Sequence, residues 1–315
     1  MKVLVTDHIA EAHIEILYGH AQVDIRPELT HEQLKEIIGD YDAVLVRSKT
    51  KVSADIIELG KNLKVVGRAG VGVDNIDIDA ATKKGIVVVN APTGNTVSAA
   101  EHTMALMLAL ARNIPQANSL LKSGKWQKER FVGTELRNKT LGVVGLGKVG
   151  AEVAKRAQAF EMRVIAHDPF ISADYASQFK VNLVSLDQLL QESDFITVHM
   201  PLTEATKNLI NAECLAKVKP TVRIINCARG GLCDEEALLK GIQQGKIAGA
   251  AIDVFPKEPL TDSPLFKEER IIVTPHLGAS TIEAQANVAR EAAEQVLMVL
   301  QGQPARYAVN APKQG

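Results

Sequence analysis

The chain has 315 residues, 46% of them hydrophobic and 23% charged, with a net charge of −1 at pH 7. That length accommodates two domains with cores of their own, and the balanced charge lacks the basic excess of a nucleic-acid binder. The opening MKVLVTD reaches Asp7 without a signal-length apolar segment, and the longest apolar run, Met104 to Ala111, is too short to span a bilayer. Cys214, Cys227 and Cys233 lack CxxC spacing, and no group of His, Cys and acidic residues has metal-ligand spacing. A cytoplasmic protein without metal is expected.

Taken in order, residues 1 to 92 alternate short strands and short helices. Strands are predicted at Val3–Thr6, Val23–Arg26, Ala43–Arg47, Val65–Gly67 and Val87–Asn90. Helices are predicted at Ala10–Tyr18, His31–Ile38 and Asp77–Lys84, with a further short one N-capped by Ser53. Near-continuous apolar strands separated by helices indicate a parallel sheet covered on both faces. A long helix capped by Asn95 or Ser98 then runs to about Leu121, bent at Pro115, and reads as a bridge between domains. The basic arm that follows carries the only tryptophan, Trp126, which suits either a subunit interface or the chain's own core.

From Thr140 six strands follow in regular order, at Leu141–Val144, Val164–His167, Phe195–Val198, Val222–Asn226, Gly249–Val254 and Ile271–Thr274. The first leads into Gly145-Leu146-Gly147-Lys148-Val149-Gly150 and then a helix. Gly145 permits the tight turn, Gly147 lets backbone N–H groups approach a pyrophosphate, and Gly150 lets helix and strand pack closely. Asp168 ends the next strand, where an acid bonds the adenine ribose and repels a 2′-phosphate, so NAD is the expected cofactor. The fold class is therefore α/β, with two doubly wound parallel-sheet domains. Residues 95–282 form a Rossmann domain that includes the bridge helix and a dimerisation arm at 98–138. Residues 1–94 and 283–315 form a smaller flavodoxin-like substrate domain, completed by a last helix, Ser280 to Gln301, that cannot fold alone.

Three ionisable residues follow strand ends on the side where the dinucleotide must lie: Arg229, Glu258 and His276. A secondary alcohol that loses hydride needs a base for its hydroxyl proton, which suits His276. Glu258 could fix the histidine tautomer, and the Arg229 fork could hold a carboxylate unless Arg229 merely pairs with Asp234. His199 is expected near the cofactor pocket; His102, on the long helix, is ambiguous.

The motifs GLGKVG, HDP, HMPLTEAT, NCARGGLCDEEAL, AAIDVFPKEP and PHLGAST, with VRSKT, GRAGVGVDNID and NAPTGNTVSAAE before them, resemble the D-isomer-specific 2-hydroxyacid dehydrogenases over nearly the whole chain. The resemblance implies that His276 is the acid/base, Glu258 its partner and Arg229 a substrate ligand. It also implies that Lys148, Val149, Met200, Cys227, Ala228, Asp253 and Gly278 line the cofactor. Gly70, Val71 and Gly72 would offer backbone donors to a substrate carboxylate, while Arg47, Ser48 and Lys51 would face a substrate phosphate, helped by Lys128 or Arg130 of a second subunit. The expected activity is oxidation of a small phosphorylated 2-hydroxy acid by a homodimer whose domains close over the substrate. A reductase of glyoxylate or hydroxypyruvate, a D-lactate-type enzyme, and an NADH-sensing corepressor-like protein are the alternatives. Longer relatives continue into a regulatory domain, which is not expected within residues 1 to 315.

Overall fold

The computed structural model describes residues 1–312; residues 313–315, the end of the expected substrate domain, lie outside the described residues. The chain divides into two compact units, Met1–Thr96 with Ser280–Gly315, and Val97–Ala279.

The first unit holds β1 (Lys2–Val5), β2 (Gln22–Ile25), β3 (Ala43–Val46), β4 (Val65–Arg68) and β5 (Val87–Val89). All are parallel, in the order β2-β1-β3-β4-β5, the flavodoxin-like arrangement whose order reverses between β1 and β3. One face is covered by the helix Ile282–Leu300, whose Val288, Ala292 and Val296 pack with Val3, Val5, Leu45 and Val65. Gly67 in β4 is what lets that helix approach, since any side chain there would collide with Val296. The tail returns beside β5, where Ala308 bridges Val89 and Asn310 accepts the Val88 N–H at 2.7 Å.

Two local expectations change here. The helix expected over Ala10 to Tyr18 is instead two single 3-10 turns, Glu11–His13 and Glu15–Leu17, interrupted where Ile14 adopts φ −123°. Ile9 is buried while Ile16 is exposed, although residues seven apart would share one face of a continuous α-helix. Ser53 does precede the helix Ala54–Leu59, but its hydroxyl bonds Asp55 instead of capping a backbone N–H.

The second unit contains β6 (Thr140–Val144), β7 (Arg163–His167), β8 (Asn182–Leu183), β9 (Phe195–Val198), β10 (Arg223–Asn226), β11 (Gly249–Ile252) and β12 (Ile271–Val273). Every neighbouring pair is parallel, in the order β12-β11-β10-β9-β6-β7-β8. This is the Rossmann order with its reversal between β6 and β9, and it has seven strands where six were expected. The extra strand, β8, has only two residues, too few to show a period. Leu141, Val143 and Val144 of β6 are fully buried, each worth about 1.5–3 kcal/mol of apolar transfer.

The long helix is two helices, Thr96–Arg112 and Ile114–Lys122. The break is Asn113, left-handed at φ 52°, while Pro115 lies in the first turn of the second helix, where its missing N–H costs nothing. Trp126 is 78% exposed, so it does not cap its own unit's core. Among the described residues, no helix is long and apolar enough to cross a membrane, and no group of His, Cys, Asp and Glu could hold a metal ion.

Candidate active site

The β6 turn sits at the reversal point of the Rossmann sheet, with the residues that follow β9 beside it. Gly145 has φ 96°, and a Cβ there would lie 2.8 Å from both the His199 carbonyl oxygen and Met200 Sδ. Only glycine fits that position. A Cβ on Gly150 would fall within contact of the Gly145 carbonyl, 3.2 Å from its carbon, which sets how closely the helix Lys148–Ala159 meets the strand. Gly147, the N-cap of that helix, has nothing within 4 Å of where its Cβ would be. Open space thus faces the first N–H groups of a helix of twelve residues, the local chemistry that suits a pyrophosphate. Val149, partly buried, anchors the turn to the core below.

Asp168 immediately follows β7 and accepts the Leu146 N–H on one oxygen and the Phe170 N–H on the other, each at 2.9 Å. The carboxylate is therefore tied to the glycine turn and aimed by it. Met200 is 7% exposed and backs the same turn. His199, bonded to Thr197 at 2.9 Å, has its pKa lowered to about 4 because burial disfavours the charged ring. These residues fit an NAD-type dinucleotide.

The loops after β10, β11 and β12 carry the titratable groups. Arg229 follows β10; its Nη1 donates to the Ala228 carbonyl at 2.7 Å, and Asn226 Nδ2 donates to the Arg229 carbonyl at 2.9 Å. Asn226 also accepts the Ala228 N–H at 3.1 Å, so one side chain staples the loop. Gly230 abuts the Phe255 backbone so closely that no side chain fits, which brings the Arg229 loop against the loop that carries Glu258. Asp234 caps the helix Glu235–Gln243 by accepting the Ala237 N–H. Burial pushes the Cys227 thiol up to about 12, against a lowering hydrogen bond with Thr103, and so disfavours a thiolate there.

Glu258 Oε2 lies 2.6 Å from His276 Nδ1, while Glu258 Oε1 accepts the Phe255 N–H at 2.9 Å. The carboxylate is thus oriented by its own loop before it meets the imidazole. His276 itself is left-handed at φ 56°, an uncommon conformation for a non-glycine residue and one that costs about 1–2 kcal/mol. Asp253, fully buried after β11, accepts the Leu277 N–H at 2.7 Å and the Gly278 N–H at 2.9 Å through its carboxylate. Burial works to raise the Asp253 pKa, but hydrogen bonds from His102, Thr274, Leu277 and Gly278 outweigh it and hold the carboxyl below its ordinary value.

In the first unit, Arg47 and Ser48 follow β3. The Arg47 N–H donates to the Asp7 carboxylate and its carbonyl accepts Asn75 Nδ2 at 2.7 Å, so the backbone is pinned while Ser48 is exposed. Gly70, Val71 and Gly72 follow β4, and the Val71 carbonyl accepts Asn90 Nδ2 at 2.7 Å. Arg68, which the sequence did not single out, lies over Gly70 so closely that a Cβ there would overlap its guanidinium. The only advance sign of that packing is the glycine two residues on. His102 was ambiguous in the sequence; its ring lies 3.2 Å from the Asp253 carboxylate.

A doubly wound sheet, a glycine turn open at a helix N-terminus and a tethered acid together define a dinucleotide-binding protein of the dehydrogenase type. Residues 104–278 match the model of the D-isomer specific 2-hydroxyacid dehydrogenase NAD-binding domain, and the chain belongs to that family. It is 57% identical over 311 residues to a D-3-phosphoglycerate dehydrogenase of Synechocystis, covering 99% of this chain and 56% of that one. An Archaeoglobus fulgidus protein of the same name is 52% identical, with 99% and 60% covered. The chain therefore spans somewhat over half the length of these curated relatives. A solved Thermus thermophilus structure superposes with a TM-score of 0.90 at 33% identity, with 98% of this chain and 100% of that one covered.

Proposed function

We propose that the chain oxidises 3-phospho-D-glycerate to 3-phosphohydroxypyruvate with NAD, the activity suggested by the names of its relatives. The observation that carries this reading is the 2.6 Å contact between His276 Nδ1 and Glu258, in the unit that holds the glycine turn. With Nδ1 turned to the carboxylate, Nε2 is the nitrogen that takes the proton of the substrate hydroxyl, and Glu258 stabilises the imidazolium that results. NAD held at the turn from Gly145 to Gly150 would supply the hydride acceptor. Arg229 holds the substrate carboxylate as a planar fork. Gly70, Val71 and Gly72 contribute backbone donors, and Arg47 with Ser48 contributes to binding the phosphate. Asp168 selects NAD over NADP because a carboxylate repels a 2′-phosphate.

The assembly we assign is a homodimer in a reducing compartment such as the cytoplasm, consistent with three free cysteines. Ile114, Leu121, Trp126 and Val132 leave a run of exposed apolar side chains at 52%, 54%, 78% and 85%, the kind of surface that a second copy covers. Sedimentation of Trp126→Glu as a monomer is the expected result. The deciding experiment for the activity is a panel of 2-hydroxy and 2-keto acids, with and without a 3-phosphate, run with each cofactor. Turnover should favour the phosphorylated acid with NAD, and Arg47→Ala should penalise only phosphorylated substrates. Equal penalties on both kinds would point to a glyoxylate, hydroxypyruvate or lactate enzyme, and tight NADH binding with no turnover to a sensor.

A further inference from the structure

His276 owes its unusual backbone to one buried residue. The Asp253 carbonyl accepts the His276 N–H at 2.8 Å, and the Asp253 carboxylate accepts the next two N–H groups, those of Leu277 and Gly278. Three successive donors therefore converge on a single aspartate, and the left-handed turn at His276 is what makes them converge. If Asp253 rotates, the turn loses the bonds that offset its strain, and the imidazole loses its direction.

What holds Asp253 comes from the helix Thr96–Arg112. His102 Nε2 lies 3.2 Å from Asp253 Oδ1 and 3.3 Å from Thr274 Oγ1. Thr274 donates its only hydroxyl proton to Asp253 Oδ1, at 2.5 Å. Both atoms that face Nε2 can therefore only accept, so Nε2 carries a proton and this edge of the ring is a donor. One turn earlier, Ser98 Oγ donates to the Gly278 carbonyl at 2.9 Å, in buried surroundings. There is little slack between these points, since a Cβ on Gly278 would sit 3.3 Å from Asp253 Oδ2.

We propose that His102 and Ser98 are positioning residues that clamp Asp253 and the segment His276–Gly278, and thereby aim the imidazole that takes the substrate proton. The clamp rests on the reading of His276 as that base, but its geometry can be tested without any substrate. His102→Leu keeps the volume and removes the donor, whereas His102→Gln retains an N–H able to reach the carboxylate. Amide hydrogen exchange at Leu277 and Gly278, read by NMR in the ligand-free protein, should accelerate about ten- to hundredfold in His102→Leu. The turnover number with the best substrate should fall by a similar factor while KM for NAD moves less than about threefold, and His102→Gln should restore both.

Wild-type exchange at those two amides in His102→Leu would overturn the clamp, and so would a glutamine variant as impaired as the leucine one. Should His102→Leu not fold, Ser98→Ala reports on the same amides and should accelerate that of Gly278. A wild-type protein that turned over no hydroxy acid would defeat the proposed function, while the exchange data would still decide the clamp.

Discussion

Gly145→Ala is the substitution whose cost the structure specifies most closely. At φ 96° an alanine is in a region that L residues avoid, for about 1–2 kcal/mol. Its Cβ would also lie 2.8 Å from the His199 carbonyl oxygen and from Met200 Sδ, so the β9 loop must retreat, an overpacking cost of about 1–3 kcal/mol. Against this, alanine restricts the unfolded chain and returns about 0.4–1 kcal/mol. The net loss is about 1–5 kcal/mol, which lowers the melting temperature by about 2–4 °C per kcal/mol for a unit of this size. Gly147→Ala makes the contrast. Nothing stands within 4 Å of the new methyl group, so only the weaker N-cap is lost, at about 0.5–1 kcal/mol, yet the methyl occupies the space left for the pyrophosphate. Paired thermal melts and NADH fluorescence titrations should show Gly145→Ala losing stability, and Gly147→Ala keeping most of its stability while losing affinity. A Gly145→Ala protein that melts with the wild type, or a Gly147→Ala protein that binds NADH normally, would refute this account of the turn.

His276→Ala should lower turnover by about 10²–10⁴-fold and leave the Kd for NADH nearly unchanged; a stopped-flow burst of normal size would show that the base lies elsewhere. Asp168→Ala removes the acceptor of two backbone N–H groups along with a negative charge. The ratio of kcat/KM for NADP over NAD should then rise, and an unchanged ratio counts against the ribose role. His199 titrates at about 4 in the folded protein against an ordinary 6.5, so between those values the unfolded chain binds the additional proton and stability declines as pH falls. His199→Asn should flatten that part of the stability curve; an unaltered slope would mean the ring is not held neutral by burial.

How much of this could be read in the letters depended on range. The glycine turn was legible because its constraints are local: each glycine answers to atoms of its own strand, turn or helix, or to the loop of one neighbouring strand. The positions of Arg229, Glu258 and His276 past strand ends were equally plain, since periodicity locates strand ends. That Glu258 could partner His276 was open from residue type and implied by resemblance, but spacing alone could not give the contact, because eighteen residues separate them and it depends on how two loops lie. Asp253 was placed near the cofactor only by resemblance; its grip on three N–H groups needs a left-handed residue that no pattern signals at a histidine. Pro115 misled in the ordinary way, since proline marks a helix start as readily as a break, and here the break is Asn113. Ala10 to Tyr18 has helical composition, but the chain breaks at Ile14 and buries Ile9 while exposing Ile16, which one continuous helix would put on a shared face.

The helix Ile282–Leu300 has a consequence for how the chain is born. One face of the sheet β1 to β5 is covered by residues made some two hundred positions after the last of its strands, so during synthesis Val3, Val5, Leu45 and Val65 wait with their partners Val288, Ala292 and Val296 still unmade. Contacts of such separation are slow to form, and a sheet left with a bare apolar face is prone to aggregate. The Val97–Ala279 unit has no such wait, since all its strands lie within it. Pulsed hydrogen exchange during refolding should therefore protect amides of β6 and β9 before those of β1 and β3, and the reverse order would contradict this. The helix Ile282–Leu300, made after the whole second unit, decides when the strands made before that unit are safe.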